Sequence, residues 1–194
     1  MKFMTQDTRV KLLQSALNLF LTIGIKKTTM DDIAIESGLT RVSVYRYFTD
    51  KRDIVKAAFF QIIDKLDSTL QEIQSAPENV PQAYLEKIVE RLIGLGRGDL
   101  PAGLEELKRV YPDIARDFQQ ARQNAIHQIF NILMLRANQN NLLRSDLRTE
   151  IVYAYFLTAV IYVMENPELQ NLGLPPAEIY STVKEIFLNG VLKK

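Results

Sequence analysis

Residues 28 to 48, TTMDDIAIESGLTRVSVYRYF, constrain the chain more than any other stretch. Thr28 and Thr29 carry hydroxyls that can cap a helix, and each is followed three residues later by an acid, Asp31 or Asp32. The spacing approximates a capping box with Asp in place of Glu. It also sets both acids in a first turn, where the helix dipole favours negative charge. Ile33 and Ala34 fall on the inward side. Gly38 breaks the pattern where a reversal between two short helices needs a residue tolerant of positive φ. Thr40 can cap a second helix whose first turn is Arg41, Val42 and Ser43. Val44 and Phe48, four apart, share one face of that helix and can anchor it in a core. The spacing predicts a helix-turn-helix.

The second helix carries the chemistry. Arg41, Val42, Tyr45 and Arg46 lie on faces other than the Val44–Phe48 face. An arginine in a first turn opposes the dipole, which is easier to understand if that end meets a polyanion. Arginine reads guanine edges or grips phosphate, and Ser, Thr and Tyr hydroxyls bond phosphate oxygens. Such a recognition helix meets bases chiefly with its N-terminal residues. The hydroxyls of Thr28, Thr29, Thr40, Ser43 and Tyr47 join the candidates on this reading. A plain pair of amphipathic helices joined by a glycine turn has the same spacing, so spacing alone leaves the two readings open.

A wider pattern favours the first. Leu12, Ala16, Phe20, Gly24, Thr28, Thr29, Ile33, Ala34, Gly38, Tyr45, Tyr47, Phe48 and Lys51 follow one another at intervals that resemble the N-terminal domain of TetR-type transcriptional regulators. The resemblance covers about residues 8 to 60. It implies a DNA-binding domain over residues 1–50 and a helical ligand-binding and dimerisation domain over 51–194. It gives Lys51 the role of holding a phosphate. One departure stands out: these regulators often carry glycine three residues before the helix tyrosine, where this chain has Val42. A branched side chain there suits contact with a thymine methyl.

Charge distribution agrees in a small way. The net charge is only +1, but residues 1–52 hold nine basic and five acidic side chains, and the rest fifteen basic and eighteen acidic. A basic head on an acidic body suits a DNA-facing N-terminus; a solvated basic surface would show the same excess. The chain has no cysteine, which excludes disulfides, thiolate metal sites and cysteine nucleophiles. With one histidine, His127, it has no paired-histidine zinc motif, and no cofactor or metal motif was found. The segment MKFMTQDTRV has charges where a signal peptide needs an apolar run. The longest apolar run, Ile151 to Met164, is shorter than the ~20 residues that span a bilayer. A buried helix, no membrane partner and a cytoplasmic location are expected.

Helical periodicity recurs along the chain and no segment alternates as a strand would, so the fold class is all-α with about nine helices. The expected helices are 7–23, two in the helix-turn-helix, 51–75, 82–95, a short one capped by Asp99 and ending near Val110, 112 to about 137, 147–165 and 176–192. GLGRGD at 94–99 looks like a phosphate loop, but it follows a helix and lacks the GK[ST] ending, so it reads as a helix stop and turn.

The helix over 147–165 is apolar around most of its circumference through Tyr153, Ala154, Phe156, Leu157, Val160, Ile161 and Met164. The last helix adds Ile179, Val183, Ile186 and Phe187. A helix apolar nearly all round is covered on several sides. The family resemblance supplies that cover as a homodimer, in which these two helices pair with their symmetry mates. It also places two recognition helices about one DNA turn, ~34 Å, apart on a palindromic operator. A helix central to a monomeric bundle is the other reading.

The resemblance further implies an apolar ligand pocket among helices four to seven. Phe59, Ile63, Tyr84, Ile88, Phe118 and Phe130 would suit its walls, and Arg122 and His127 could orient a small apolar or amphipathic effector. Each serves as well as ordinary core or solvent-facing surface. The expected function is therefore a repressor released from DNA by a ligand. The alternatives are an activator or ligand-independent regulator and, from another class, a helical enzyme or small-molecule or lipid carrier. A lone histidine and no carboxylate pair argue against catalysis.

Overall fold

The computed structural model describes residues 6–94, 100–165 and 174–192, the side chains of 6, 93–94, 160–165, 176–177 and 180 excepted. Among the described residues it has nine helices. They are α1 (Gln6–Thr22), α2 (Met30–Ser37), α3 (Arg41–Tyr47), α4 (Lys51–Ser75), α5 (Gln82–Gly94), α6 (Leu100–Val110), α7 (Pro112–Gln139), α8 (Thr149–Glu165) and α9 (Pro176–Val191). They contain no strand; an isolated antiparallel bridge pairs Leu143 with Leu192. The all-α expectation holds, and the helix ends lie within two residues of the sequence reading. The turn reading of 95–99 and the capping role of Asp99 lie outside the described residues.

The chain divides into two compact units, Met1–Lys65 with Ala102–Arg122, and Leu66–Pro101 with Gln123–Lys194. These do not coincide with a division at residue 50. The first unit keeps the start of α4, nearly all of α6 and the start of α7 together with the N-terminal helices.

At eight and seven residues, α2 and α3 are too short to persist alone in water. Burial holds them. Leu12, Leu13, Ala16 and Phe20 of α1 are at most 1% exposed, and Ile33, Val44 and Ile54 are closed completely. Burying a side chain of that size contributes roughly 1.5–3 kcal/mol. Phe59 of α4 and Phe118 of α7 meet edge to face at 5.8 Å, and Phe60 meets Phe118 at 6.1 Å. Helix α6 comes close to α1 at Gly103, where a Cβ would lie 2.3 Å from Leu21 Cδ2.

In the second unit α9 packs against α5 and α8. Its aromatic centre is Phe130, Phe156 and Phe187, with Phe156 at 5.4 Å from the first ring and 4.9 Å from the second. Arg91 pairs with Glu72 at 2.6 Å, and Arg136 donates to the Ala76 carbonyl at 3.2 Å.

Candidate nucleic-acid interface

The helix-turn-helix is built from local hydrogen bonds. Thr29 is the N-cap of α2: its Oγ1 accepts from the Asp32 amide at 3.2 Å, and the Asp32 carboxylate accepts from the Thr29 amide at 2.8 Å. Hydrogen bonds from the Thr29 hydroxyl and then its amide lower the Asp32 pKa below the usual carboxylate range. At the other end Gly38 sits at φ +68°, the left-handed region, and Leu39 N donates back to the Ala34 carbonyl at 2.9 Å. Thr40 caps α3 by accepting from the Ser43 amide at 3.2 Å, and the two hydroxyls pair at 2.9 Å.

These caps fix the orientation of α3. Val44 is fully buried and Phe48 is 3% exposed, while Val42 is 66% and Tyr45 44% exposed. Arg41 and Arg46 are exposed beside them. The outer side of α3 therefore presents two guanidinium groups, a phenol and an isopropyl group. Arg41 Nη1 donates to Asp31 Oδ2 at 2.9 Å, and its guanidinium lies 5.6 Å from the centre of the Tyr45 ring. Its hydrogen bond with Tyr45, then the charge of Asp31, push its pKa further up. An exposed pair of this kind is weak, because water screens it, so Arg41 can exchange Asp31 for a phosphate or a base edge at little cost.

Three residues read from the sequence as DNA-facing lie elsewhere. Thr28 is completely buried, with its hydroxyl donating to the Gly24 carbonyl at 2.8 Å. Tyr47 is half-buried, and its hydroxyl oxygen is shut in without a partner. Lys51 spends its ammonium on three carbonyls, those of Ile25 at 2.9 Å, Lys26 at 3.2 Å and Thr28 at 3.0 Å. Thr28 and Tyr47 each neighbour an exposed candidate, Thr29 and Arg46, and the carbonyls that hold Lys51 lie 23 to 26 residues away, so the sequence could not distinguish them. Side chains outside the sequence reading also support the head. Arg9 of α1 lies over the Phe48 ring at 5.4 Å, and Arg52 pairs with Asp113 and lies 5.1 Å from the Tyr111 ring centre. Such partners are remote in sequence and leave no local signal.

The candidate effector residues fall into both units. Phe59, Ile63 and Phe118 are buried in the first, which also holds Arg122; Ile88 and Phe130 are buried in the second. These five apolar side chains are core contacts. His127 is exposed, with its ring 4.7 Å from that of Tyr153. Tyr84 is half-buried, and its hydroxyl is sealed off without a partner; that burial raises its pKa.

The candidate dimer residues are corrected in part. Phe156 and Phe187 are 1% and 2% exposed and cover each other within the chain. Tyr153, Leu157, Ile179 and Val183 are half-buried and Ile186 is 55% exposed. The side chains of Val160, Ile161 and Met164 lie outside the described residues. Ile151 and Tyr155, outside that set, are 66% and 49% exposed. With Ile186 they line a hollow of about 430 Å³ between α8 and α9.

No described helix is long and apolar enough to cross a membrane. Among the described residues, no three His, Asp or Glu side chains converge to hold a metal ion.

The model of the family described as "Bacterial regulatory proteins, tetR family" matches residues 12–58, from α1 to the first two turns of α4. The HTH-type transcriptional regulator TtgR of Pseudomonas putida is 29% identical over 84 residues, 43% of this chain and 40% of that protein's own length. The HTH-type transcriptional repressor KstR2 of Mycolicibacterium smegmatis is 26% identical over 157 residues, 76% of this chain and 73% of that one. The fold matches the crystal structure of a TetR transcription regulator from Haloarcula marismortui with a TM-score of 0.68 at 15% identity, over 97% of this chain and all of that one.

Proposed function

The chain belongs to the TetR-type regulatory proteins through residues 12–58, and from that premise we propose that it is a transcriptional repressor. On this reading it binds a palindromic operator in the cytoplasm as a homodimer and leaves it when a small apolar or amphipathic effector binds. The observation that carries the reading is the outer side of α3, where Arg41, Val42, Tyr45 and Arg46 stand exposed behind an anchored Val44 and Phe48. Guanidinium groups on a capped recognition helix are the groups that read guanine edges and phosphates.

Homodimer formation is supported by the apolar hollow of Ile151, Tyr155 and Ile186, since isoleucines this exposed gain from cover by a second copy. A C2 pair then presents α3 twice. Effector binding is what the family resemblance implies for the helices that follow the matched residues. A ligand that prefers the dimer conformation with mis-spaced heads shifts the population off DNA.

Selection of bound duplexes from a random pool, followed by mobility shift, tests the reading. The enriched sequence is expected to be a palindrome. Arg41→Ala and Tyr45→Ala are each expected to weaken binding to it by roughly 10- to 100-fold. Binding should also fall steeply with salt. Unchanged affinity in both variants would remove α3 from the interface.

A further inference from the structure

Between α1 and α2 the chain passes through residues 23–29, and two charged side chains remote in sequence hold it. Glu106 of α6 takes both amides: Ile25 N donates to its Oε2 at 2.9 Å and Lys26 N to its Oε1 at 3.0 Å. Lys51, the first residue of α4, donates to the carbonyls of the same two residues and of Thr28. Two successive residues are thus gripped at the N–H by an anion and at the C=O by a cation, and the peptide unit that joins them is held at both ends. Hydrogen bonds to ionised groups are shorter and stronger than neutral ones. The next residue back, Gly24, lies at φ +104°, and a Cβ there would sit 2.8 Å from Glu106 Oε2, so only glycine admits this approach.

We propose that Glu106 is a positioning residue for DNA binding. Through the Ile25 and Lys26 amides it fixes the segment that ends at Thr29, the cap of α2, and so sets the angle at which α2 and α3 meet a groove. The inference rests on the DNA-binding reading above. Glu106 acts on the amides directly and on Lys51 through the polarised Ile25–Lys26 peptide between them. It faces an open hollow of about 370 Å³, lined also by Ile23, Lys26, Lys27, Arg109 and Val110. Water can therefore replace a lost carboxylate, so its removal loosens the segment without leaving its donors buried and bare.

Glu105, one residue before it, supplies the control. It is exposed and pairs with Lys108. Removing either glutamate changes the charge equally, which by itself favours binding to a polyanion. Affinity for the selected operator and for an unrelated duplex is measured for the wild-type protein, Glu105→Ala, Glu106→Ala, Glu106→Gln and Arg41→Ala. Unfolding temperatures show which variants are folded. Glu106→Ala is expected to lose roughly tenfold in operator affinity despite its favourable charge change. Its affinity for the unrelated duplex should stay level, and Glu105→Ala should lose nothing. Glu106→Gln, which keeps one acceptor oxygen, should fall between.

Amide hydrogen exchange at Ile25 and Lys26 should quicken in Glu106→Gln and not in Glu105→Ala. Operator affinity in Glu106→Gln and Glu106→Ala equal to that of Glu105→Ala would overturn the proposal. If Glu106→Ala is unfolded at the assay temperature, the Glu106→Gln comparison alone decides. Failure of the wild-type protein to bind any duplex would instead overturn the DNA-binding reading.

Discussion

Arg41 and Asp31 form a pair whose side chains are 60% and 55% exposed. Water screens a pair this open, so the contact holds the guanidinium in place without contributing much to the fold. Arg41→Ala is accordingly expected to leave stability nearly unchanged in a urea titration while DNA affinity falls. Thr29 is the reverse case, because it satisfies backbone donors at the start of α2. Thr29→Ala is expected to cost about 1 kcal/mol of stability. Its partner Asp32 has a folded pKa lowered by the Thr29 hydrogen bonds. Its contribution is therefore complete above the unfolded pKa near 4 and fades as pH falls through the lower folded value. Urea titrations across acid pH are expected to show a shallower loss of stability in Asp32→Asn than in the wild-type chain.

The turns between helices separate what was legible from what was not. The caps at Thr29, Gly38 and Thr40 could be read because each bond spans only a few residues, and the sequence shows both partners together. The Glu106 grip on Ile25 crosses 81 positions, and α6 carries two adjacent acids, Glu105 and Glu106, with nothing to mark this one. For the same reason Thr28 and Tyr47 were placed outward: helical spacing locates a face but not the neighbour that covers it. The two strained glycines differ accordingly. A Cβ at Gly38 would meet nothing within 4 Å, so Gly38→Ala should cost only the left-handed backbone, about 1 kcal/mol. Gly24→Ala meets the Glu106 carboxylate as well and should cost more. Its excess should shrink in the Gly24→Ala, Glu106→Ala double variant, as thermal unfolding of all four proteins would show.

At the scale of the whole molecule, apolar composition announced that the C-terminal helices need cover but not which side chains need it. Phe156 and Phe187 turned inward, and Ile151, Tyr155 and Ile186 were left at the surface. Because both isoleucines are exposed in the single chain, Ile151→Asp with Ile186→Asp should leave its fold intact. Sedimentation is expected to show dimers for the wild-type protein and monomers for this variant, and operator affinity should fall with the lost pairing. The division of the chain has a practical corollary as well. Residues 102–122 share a compact unit with the N-terminal helices, and they bring Phe118 against Phe59 and Glu106 against the segment before α2. A chimera that transplants only the first fifty residues onto a different helical body leaves that scaffold behind. A modular swap should carry the 102–122 stretch along with the head.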